Sequence, residues 1–153
     1  MNEPSSAVAI VPLLASDFVQ VRTIEHAGQQ EPWSDDALLG ELVNEHGIHF
    51  GIRSLDDGVL AAFMLARLVL DELHIHALCI HPCYRRRGYA RALLLHALAA
   101  ARSRRATRAL LEVAASNIAA LQLYEKAGFA VDARRKGYYA SGDDALLMSR
   151  AIG

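Results

Sequence analysis

The sequence predicts an α/β or α+β domain built on one central sheet, and three observations predict it. Short apolar or alternating runs take turns with longer amphipathic runs along the whole chain. Glycines, prolines and Asp-Gly clusters sit at the changeovers, where turns and helix stops belong. No repeat, low-complexity tract or linker interrupts the 153 residues, and a hydrophobic content of 53% is ample for a core, so residues 1–153 read as one domain.

Each element has a local reason. Residues 1–8 read as a loose lead-in, and residues 9–14, apolar with one proline, as a first strand. Ser16 or Asp17 can cap a helix reaching His26, with Phe18, Val21 and Ile24 or Glu25 at helical spacing. Residues 28–32 break it. Ser34, followed by two aspartates, opens a second helix toward Asn44. Residues 47–53 and 59–70 are β-like around the turn signal Asp56-Asp57-Gly58. Residues 73–80 make the next strand, 90–103 a helix and 109–113 a short buried strand. Ser116 is placed to cap a helix over 118–127, which Gly128 stops as a left-handed residue would. Strands over 130–135 and 145–150 finish the chain around the loop 137–144.

Composition excludes several function classes. A net charge of −1 argues against nucleic-acid binding, which calls for a basic excess. No apolar run approaches the ~18 residues of a membrane span. Residues 1–6 lack a basic stretch followed by an apolar one, so no signal peptide is expected. Cys79 and Cys83 are the only cysteines, and their spacing suits neither a zinc knuckle nor a redox pair. Two free thiols in a reducing, cytoplasmic setting is the expectation. Cys79 lies in an apolar run that raises a thiol pKa, so it reads as core and not as a nucleophile. His74, His76 and His81 suggest a metal, yet no carboxylate or thiol is placed to complete a tetrahedral site, so none is expected.

The chemistry gathers around residues 78–91. An apolar run (Leu78, Cys79, Ile80) stops at Pro82, a basic loop with Gly88 follows, and an Ala/Leu-rich helical pattern begins. Strand, glycine loop and helix together collect free N–H groups at a positive helix terminus, which is an anion site. Arg85, Arg86, Arg87 and Arg91 suit a pyrophosphate. The spacing is neither Gly-x4-Gly-Lys-Ser/Thr nor Gly-x-Gly-x-x-Gly, but Arg85-x-x-Gly88-x-Ala90. A second constellation follows. Glu112 interrupts the apolar strand Leu110-Leu111-Glu112-Val113, where a buried unpaired carboxylate would cost several kcal/mol. Tyr124 lies twelve residues on, with Ser116-Asn117 between.

The loop motif resembles the acetyl-CoA signature of the GNAT acetyltransferases. Leu-Glu-Val-x-Ala-Ser-Asn, followed by Ala-Leu-x-Leu-Tyr-Glu-Lys-Ala-Gly-Phe, resembles the second half of that fold and its ribosomal-protein-alanine N-acetyltransferase (RimI-type) subfamily. Glu31-Pro32-Trp33-Ser34, Leu70-Asp71-Glu72 and Tyr138-Tyr139 with Asp144-Ala145-Leu146-Leu147-Met148 are further matches, so the resemblance covers roughly residues 10–150. It implies a mixed, mostly antiparallel sheet flanked by helices, with acetyl-CoA as co-substrate. It implies Glu112 as general base and Tyr124 as general acid. It implies backbone contact of Leu78, Cys79 and Ile80 with the pantetheine arm. Arg86, Arg87, Gly88, Tyr89, Ala90 and Arg91 would hold the pyrophosphate, and Asn117 would contact the cofactor. Ala114 and Ala140 stand where the subfamily often has a polar residue and a proline, and the loop before Asp144 is short. These differences bear on peptide selectivity, not on acetyl transfer.

Acetyl transfer from a thioester needs a neutral amine, a donor for the oxyanion, and a proton or hydrogen bond for the departing thiolate. A carboxylate, a backbone N–H and a phenol supply these without a covalent intermediate. At pH 7, deprotonating an α-amine costs roughly 1.4 kcal/mol and a lysine ammonium roughly 4.6 kcal/mol. That favours an N-terminal amine slightly. The resemblance points further, to the N-terminal alanine of a ribosomal protein. Acetylation of a small amine or a lysine stays open, as does a CoA-binding module without turnover. Trp33, Tyr138 and Tyr139 either line a peptide groove or pack in the ordinary way. Arg102, Arg104, Arg105 and Arg108 form a basic cluster at a helix end, solvated or facing a phosphate or an acidic partner.

Overall fold

A computed structural model describes residues 7–29 and 31–153. The strands are β1 (Val8–Pro12), β2 (Phe50–Ser54), β3 (Leu60–Val69), β4 (Glu72–Ile80), β5 (Arg108–Ala114), β6 (Ala130–Arg135) and β7 (Ala145–Ala151). The helices are α1 (Phe18–Gly28), α2 (Asp35–Leu42), α3 (Tyr89–Ser103) and α4 (Ile118–Lys126). The strands form one sheet in the order β1-β2-β3-β4-β5-β7-β6. Every pairing is antiparallel except β4 with β5. The expected mixed, mostly antiparallel sheet flanked by helices is therefore present. Most of the lead-in, residues 1–6, lies outside the described residues, and Val8 already belongs to β1.

The sheet is buried on both faces at its centre. β3 shows no alternation over 60–66 because Met64 and Ala66 face one cluster and Phe63 and Leu65 face the other. One face packs against α3 through Leu93, Leu94, Ala97 and Ala101. The other packs against α1 and α2 through Val21, Ile24, Leu38 and Leu42. Burying side chains of this size contributes about 1.5–3 kcal/mol each.

Several boundaries differ from the sequence reading, each for a local reason. The first helix is not capped by Ser16 or Asp17 in the ordinary way. A 3-10 turn (Ala15–Asp17) comes first, and the Asp17 carboxylate accepts from the Leu14 amide (2.8 Å) and from Arg53 (2.5 Å). β2 begins at Phe50, not Gly47, which makes only a single bridge to Arg67. The space beside Gly47 belongs to His49, whose Nε2 would lie 2.3 Å from a Cβ there. His49 in turn donates from Nε2 to the Glu41 carbonyl (2.7 Å) and accepts the Ala66 amide at Nδ1 (3.2 Å), which fixes its neutral tautomer. α4 is capped by Asn117, whose side chain accepts from the Ala120 amide (3.2 Å), and not by Ser116, whose hydroxyl donates to Asp143 instead. Gly128 takes the expected left-handed conformation (φ 92°).

Two features of β4 place the site. Its pairing with β3 slips between Leu65 and Ala66, which face Ala77 and Ile75, so His76 is left over as a bulge. Before the bulge Leu73 and Ile75 face α3; after it Ala77 and Cys79 face α1 and α2. The bulge thus inverts the alternation for the rest of the strand. The second feature is a splay. β4 and β5 pair only from Glu72 with Arg108 to Ile75 with Leu111, although both strands run on.

Candidate active site

The splay opens a cavity of about 600 Å³ whose wall includes Ile75, His76, Ala77 and Leu78 of β4 and Leu111, Glu112, Val113 and Ala114 of β5. The diverging edge of β4 is not used by another strand. The His81 amide donates to the Ala61 carbonyl of β3, so by strand alternation the N–H and C=O groups of Leu78 and Ile80 point into the splay. Cys79 points the other way, into the core beneath α1 and α2. Burial pushes its thiol up to about 12, so it is a core thiol.

Glu112 does not sit inside the core. Leu111 and Val113 take the inward positions of β5, and Glu112 between them is exposed on the opposite face. Its carboxylate accepts a hydrogen bond from the Tyr139 hydroxyl at 3.0 Å. The burial penalty expected from its apolar neighbours is therefore absent. Desolvation and the adjoining Glu112 charge raise the Tyr139 pKa, so the phenol stays a donor. Tyr124 comes from α4 and lines the same cavity, 8% exposed, with its ring edge against Phe129. Burial raises its pKa too, which keeps its hydroxyl protonated. Asn117 also reaches the wall, although its side chain is occupied in capping α4.

The opposite wall comes from two loops. Gln29, Glu31 and Trp33, just after Gly28 at the end of α1, stand on one, Tyr138 and Tyr139 on the other. Glu31 ties the loops together, its Oε1 accepting the Ala140 amide at 2.7 Å. Trp33 meets His76 edge-on at 6.0 Å. The sequence reading named Trp33, Tyr138 and Tyr139 as candidates, and all three line this cavity. It used Glu31 only as part of a resemblance and did not anticipate Gln29. Neither has a local signature, since each acts through a fold contact.

The basic loop lies at the N-terminus of α3. Arg86 and Gly88 both adopt left-handed backbone (φ 63° and 78°), and no atom lies within 4 Å of where a Gly88 Cβ would stand. The first helical bond of α3 runs from the Ala92 amide to the Gly88 carbonyl, so helix geometry leaves the Tyr89, Ala90 and Arg91 amides ahead of it without helical acceptors. Tyr89 packs against the core from the first turn, with Ala90 half-buried beside it. Arg85, Arg86, Arg87 and Arg91 are exposed, and Arg87 lies over the Tyr84 ring at 5.1 Å. This open cradle with positive ends fits a diphosphate. Arg108 does not join the helix-end cluster; it bonds Ser149 (2.8 Å) and Asp132 (3.4 Å) across the sheet. Among the described residues no three His, Cys, Asp or Glu side chains come together as metal ligands would.

Comparison with known proteins agrees with this arrangement. Residues 8–129 match the pattern of the Acetyltransferase (GNAT) family. The chain is 33% identical to the [ribosomal protein bS18]-alanine N-acetyltransferase of Escherichia coli K12, over 94% of this chain and 97% of that one. It is 37% identical to the N-alpha-acetyltransferase RimI of Mycobacterium tuberculosis, over 80% of this chain and 78% of that one. The crystal structure of the ribosomal-protein-S18-alanine N-acetyltransferase from Escherichia coli superimposes with a TM-score of 0.88, covering 96% of this chain and 95% of the other. With its splayed parallel pair, its basic loop ahead of α3 and these likenesses, the chain belongs to the GNAT acetyltransferase family.

Proposed function

We propose that this enzyme, a single domain, moves the acetyl group of acetyl-CoA to the α-amine of a protein N-terminus, an N-terminal alanine of a ribosomal protein being the favoured acceptor. The observation that carries the reading is the cavity at the β4–β5 splay, with Glu112 on one rim, Tyr124 on its wall and strand edges open between them. The similarity to the bS18-alanine enzymes over nearly the whole chain supports the choice of acceptor.

The residues divide the work by chemistry. The free amides of α3 and the side chains of Arg86, Arg87 and Arg91, with Gly88, Tyr89 and Ala90 shaping the turn, hold the diphosphate of the co-substrate. The Leu78 and Ile80 backbone groups bond the amides of the pantetheine arm, while Cys79 only packs. An N–H on that edge can polarise the thioester carbonyl. Glu112 takes the proton of the acceptor ammonium, directly or through water. The amine nitrogen then bonds to the carbonyl carbon, the carbon–sulfur bond breaks, and the second proton the nitrogen sheds in becoming an amide ends on the departing thiolate. Burial keeps the Tyr124 phenol protonated, so it donates a hydrogen bond to the leaving sulfur in the general-acid position. Asn117 fixes α4, and through it Tyr124. Trp33, Tyr138 and Tyr139 line the acceptor's path. We place the enzyme in the cytoplasm, where its acceptor is made. No helix among the described residues is long and apolar enough to cross a membrane.

Mass spectrometry of peptides incubated with enzyme and acetyl-CoA tests this. The expected result is one acetyl group on the α-amine of an alanine-starting peptide, lost in Glu112→Gln. Acetylation of polyamines or lysine side chains alone would overturn the acceptor assignment. Acetyl-CoA binding without turnover on any amine would overturn the activity.

A further inference from the structure

The β4 bulge carries an inference beyond the roles above. Strand pairing between β4 and β5 ends at Ile75 with Leu111, and the next residue on each strand is His76 and Glu112. Alternation from Leu73 and Ile75 places His76 toward the α1 and α2 face, where its ring meets Trp33, and alternation from Leu111 places Glu112 on that same face. The two side chains therefore flank the first open rung of the splay. Both line the 600 Å³ cavity, and both also line the adjoining cavity of about 410 Å³ on the uncovered part of the sheet. His76 contributes the imidazole on the acceptor side of this wall, edge-on to Trp33.

We infer that His76 is a second proton acceptor for the incoming amine, sharing with Glu112 the deprotonation of the acceptor ammonium. This rests on the reading of the cavity as the amine site. The acceptor N–H bond releases its proton to an imidazole nitrogen, directly or through water, and the freed lone pair attacks the thioester carbon. The imidazolium then gives the proton to solvent through the open cavity, so each turnover releases one proton and regenerates the base.

The surroundings keep the imidazole ready for that task. The residue keeps an edge exposed to solvent, and partial desolvation of its ring by the cavity wall is the first cause of its lowered pKa. Glu41 of α2 opposes the shift, while Arg67 of β3, neighbouring His74 and His49 ahead of β2 add to it. Glu41 is itself neutralised by Arg67 (2.6 Å) and lies against His49 (3.1 Å), and His74 is held by Glu72 (3.2 Å). Glu112 lines the same cavity from β5, is engaged by Tyr139 and is not among the charges that shift His76. His76 is thus neutral at pH 7, and no hydrogen bond ties down either ring nitrogen among the described residues. An unengaged neutral imidazole in reach of a substrate amine is suited to general base work.

His76→Phe tests the assignment, because phenylalanine keeps a ring against Trp33 and removes both nitrogens. The measurement is kcat/KM for an alanine-starting peptide from pH 6 to 9.5, with acetyl-CoA binding by calorimetry as the control for folding. The expected loss is about 10- to 100-fold at pH 7, part of what a positioned base supplies. It should shrink to a few-fold above pH 9, where an α-amine of pKa near ~8 is neutral unaided. Free imidazole added to His76→Ala should restore part of the rate. A loss equal at every pH, without imidazole rescue, would make His76 a packing residue and overturn the inference. So would wild-type kcat/KM in His76→Phe beside a defective Glu112→Gln, which would leave Glu112 as sole base and the acetyltransferase reading intact. Wild-type enzyme that binds acetyl-CoA but acetylates no N-terminal peptide would overturn both readings together.

Discussion

Glu25 shows how a single residue can work against the fold that holds it. It lies on the buried face of α1 beside Ile24, fully shielded from solvent, and neither carboxylate oxygen has a hydrogen-bond partner among the described residues. Desolvation raises its pKa above the ordinary 4.5, only partly offset by the Trp33 backbone and the charge of His26. A carboxyl with a raised folded pKa binds more protons folded than unfolded, so its contribution is fully present below about pH 4.5 and is lost as pH rises through the folded value. Glu25→Met should therefore raise stability at pH 7.5 by about 1–3 kcal/mol. Chemical denaturation should show the gain fading toward pH 4.5, and a gain unchanged with pH would refute the desolvation account. Asn117 carries the opposite lesson. Its one cap bond to Ala120 starts the helix that presents Tyr124, so Asn117→Ala should cost about 1 kcal/mol in the same assay. Ser116→Ala should leave α4 intact, since that hydroxyl serves Asp143.

Among the elements, the loop between β4 and α3 depends most on backbone conformation. Gly88 is left-handed at φ 78° with open space where a Cβ would stand, so strain and not collision sets the cost of a side chain there. Gly88→Val should lose about 1–2 kcal/mol of stability from the left-handed backbone. It should also weaken acetyl-CoA binding at least tenfold in calorimetry, because relaxing φ redirects the amides ahead of Ala92. Unchanged affinity would place the diphosphate elsewhere. Gly88 was readable because strand, glycine and helix are local signals. The neighbouring Arg86 takes the same conformation at φ 63° without any sequence mark, because context forces it. Strand β6 is legible for another reason. It is exposed along its whole length, and Asp132, Arg134 and Arg135 blunt the sheet edge.

At the scale of the molecule, two helical layers clamp one sheet, and β3 and β4 are covered twice. Phe63 illustrates the consequence. It is fully buried between the sheet and the α1–α2 layer, so Phe63→Ala should cost about 3–5 kcal/mol and lower the thermal midpoint by many degrees. A loss below 1 kcal/mol would mean that the layer is loosely seated. The sheet beyond β4 lacks that second layer, which is why Glu112, on the face away from α3, meets a cavity and not a core. The sequence by itself determined the element order, the glycine loop ahead of a long helix, and Glu112 as an acid in an apolar strand. Those follow from periodicity, turn chemistry and apolar context within a few residues. Only the tertiary structure decided that Glu112 is exposed and held by Tyr139, and that His76 and Glu112 line one cavity where β4 and β5 part. Each depends on which strand lies alongside and on one bulge that reverses the alternation, and pairing between residues tens of positions apart leaves no local trace.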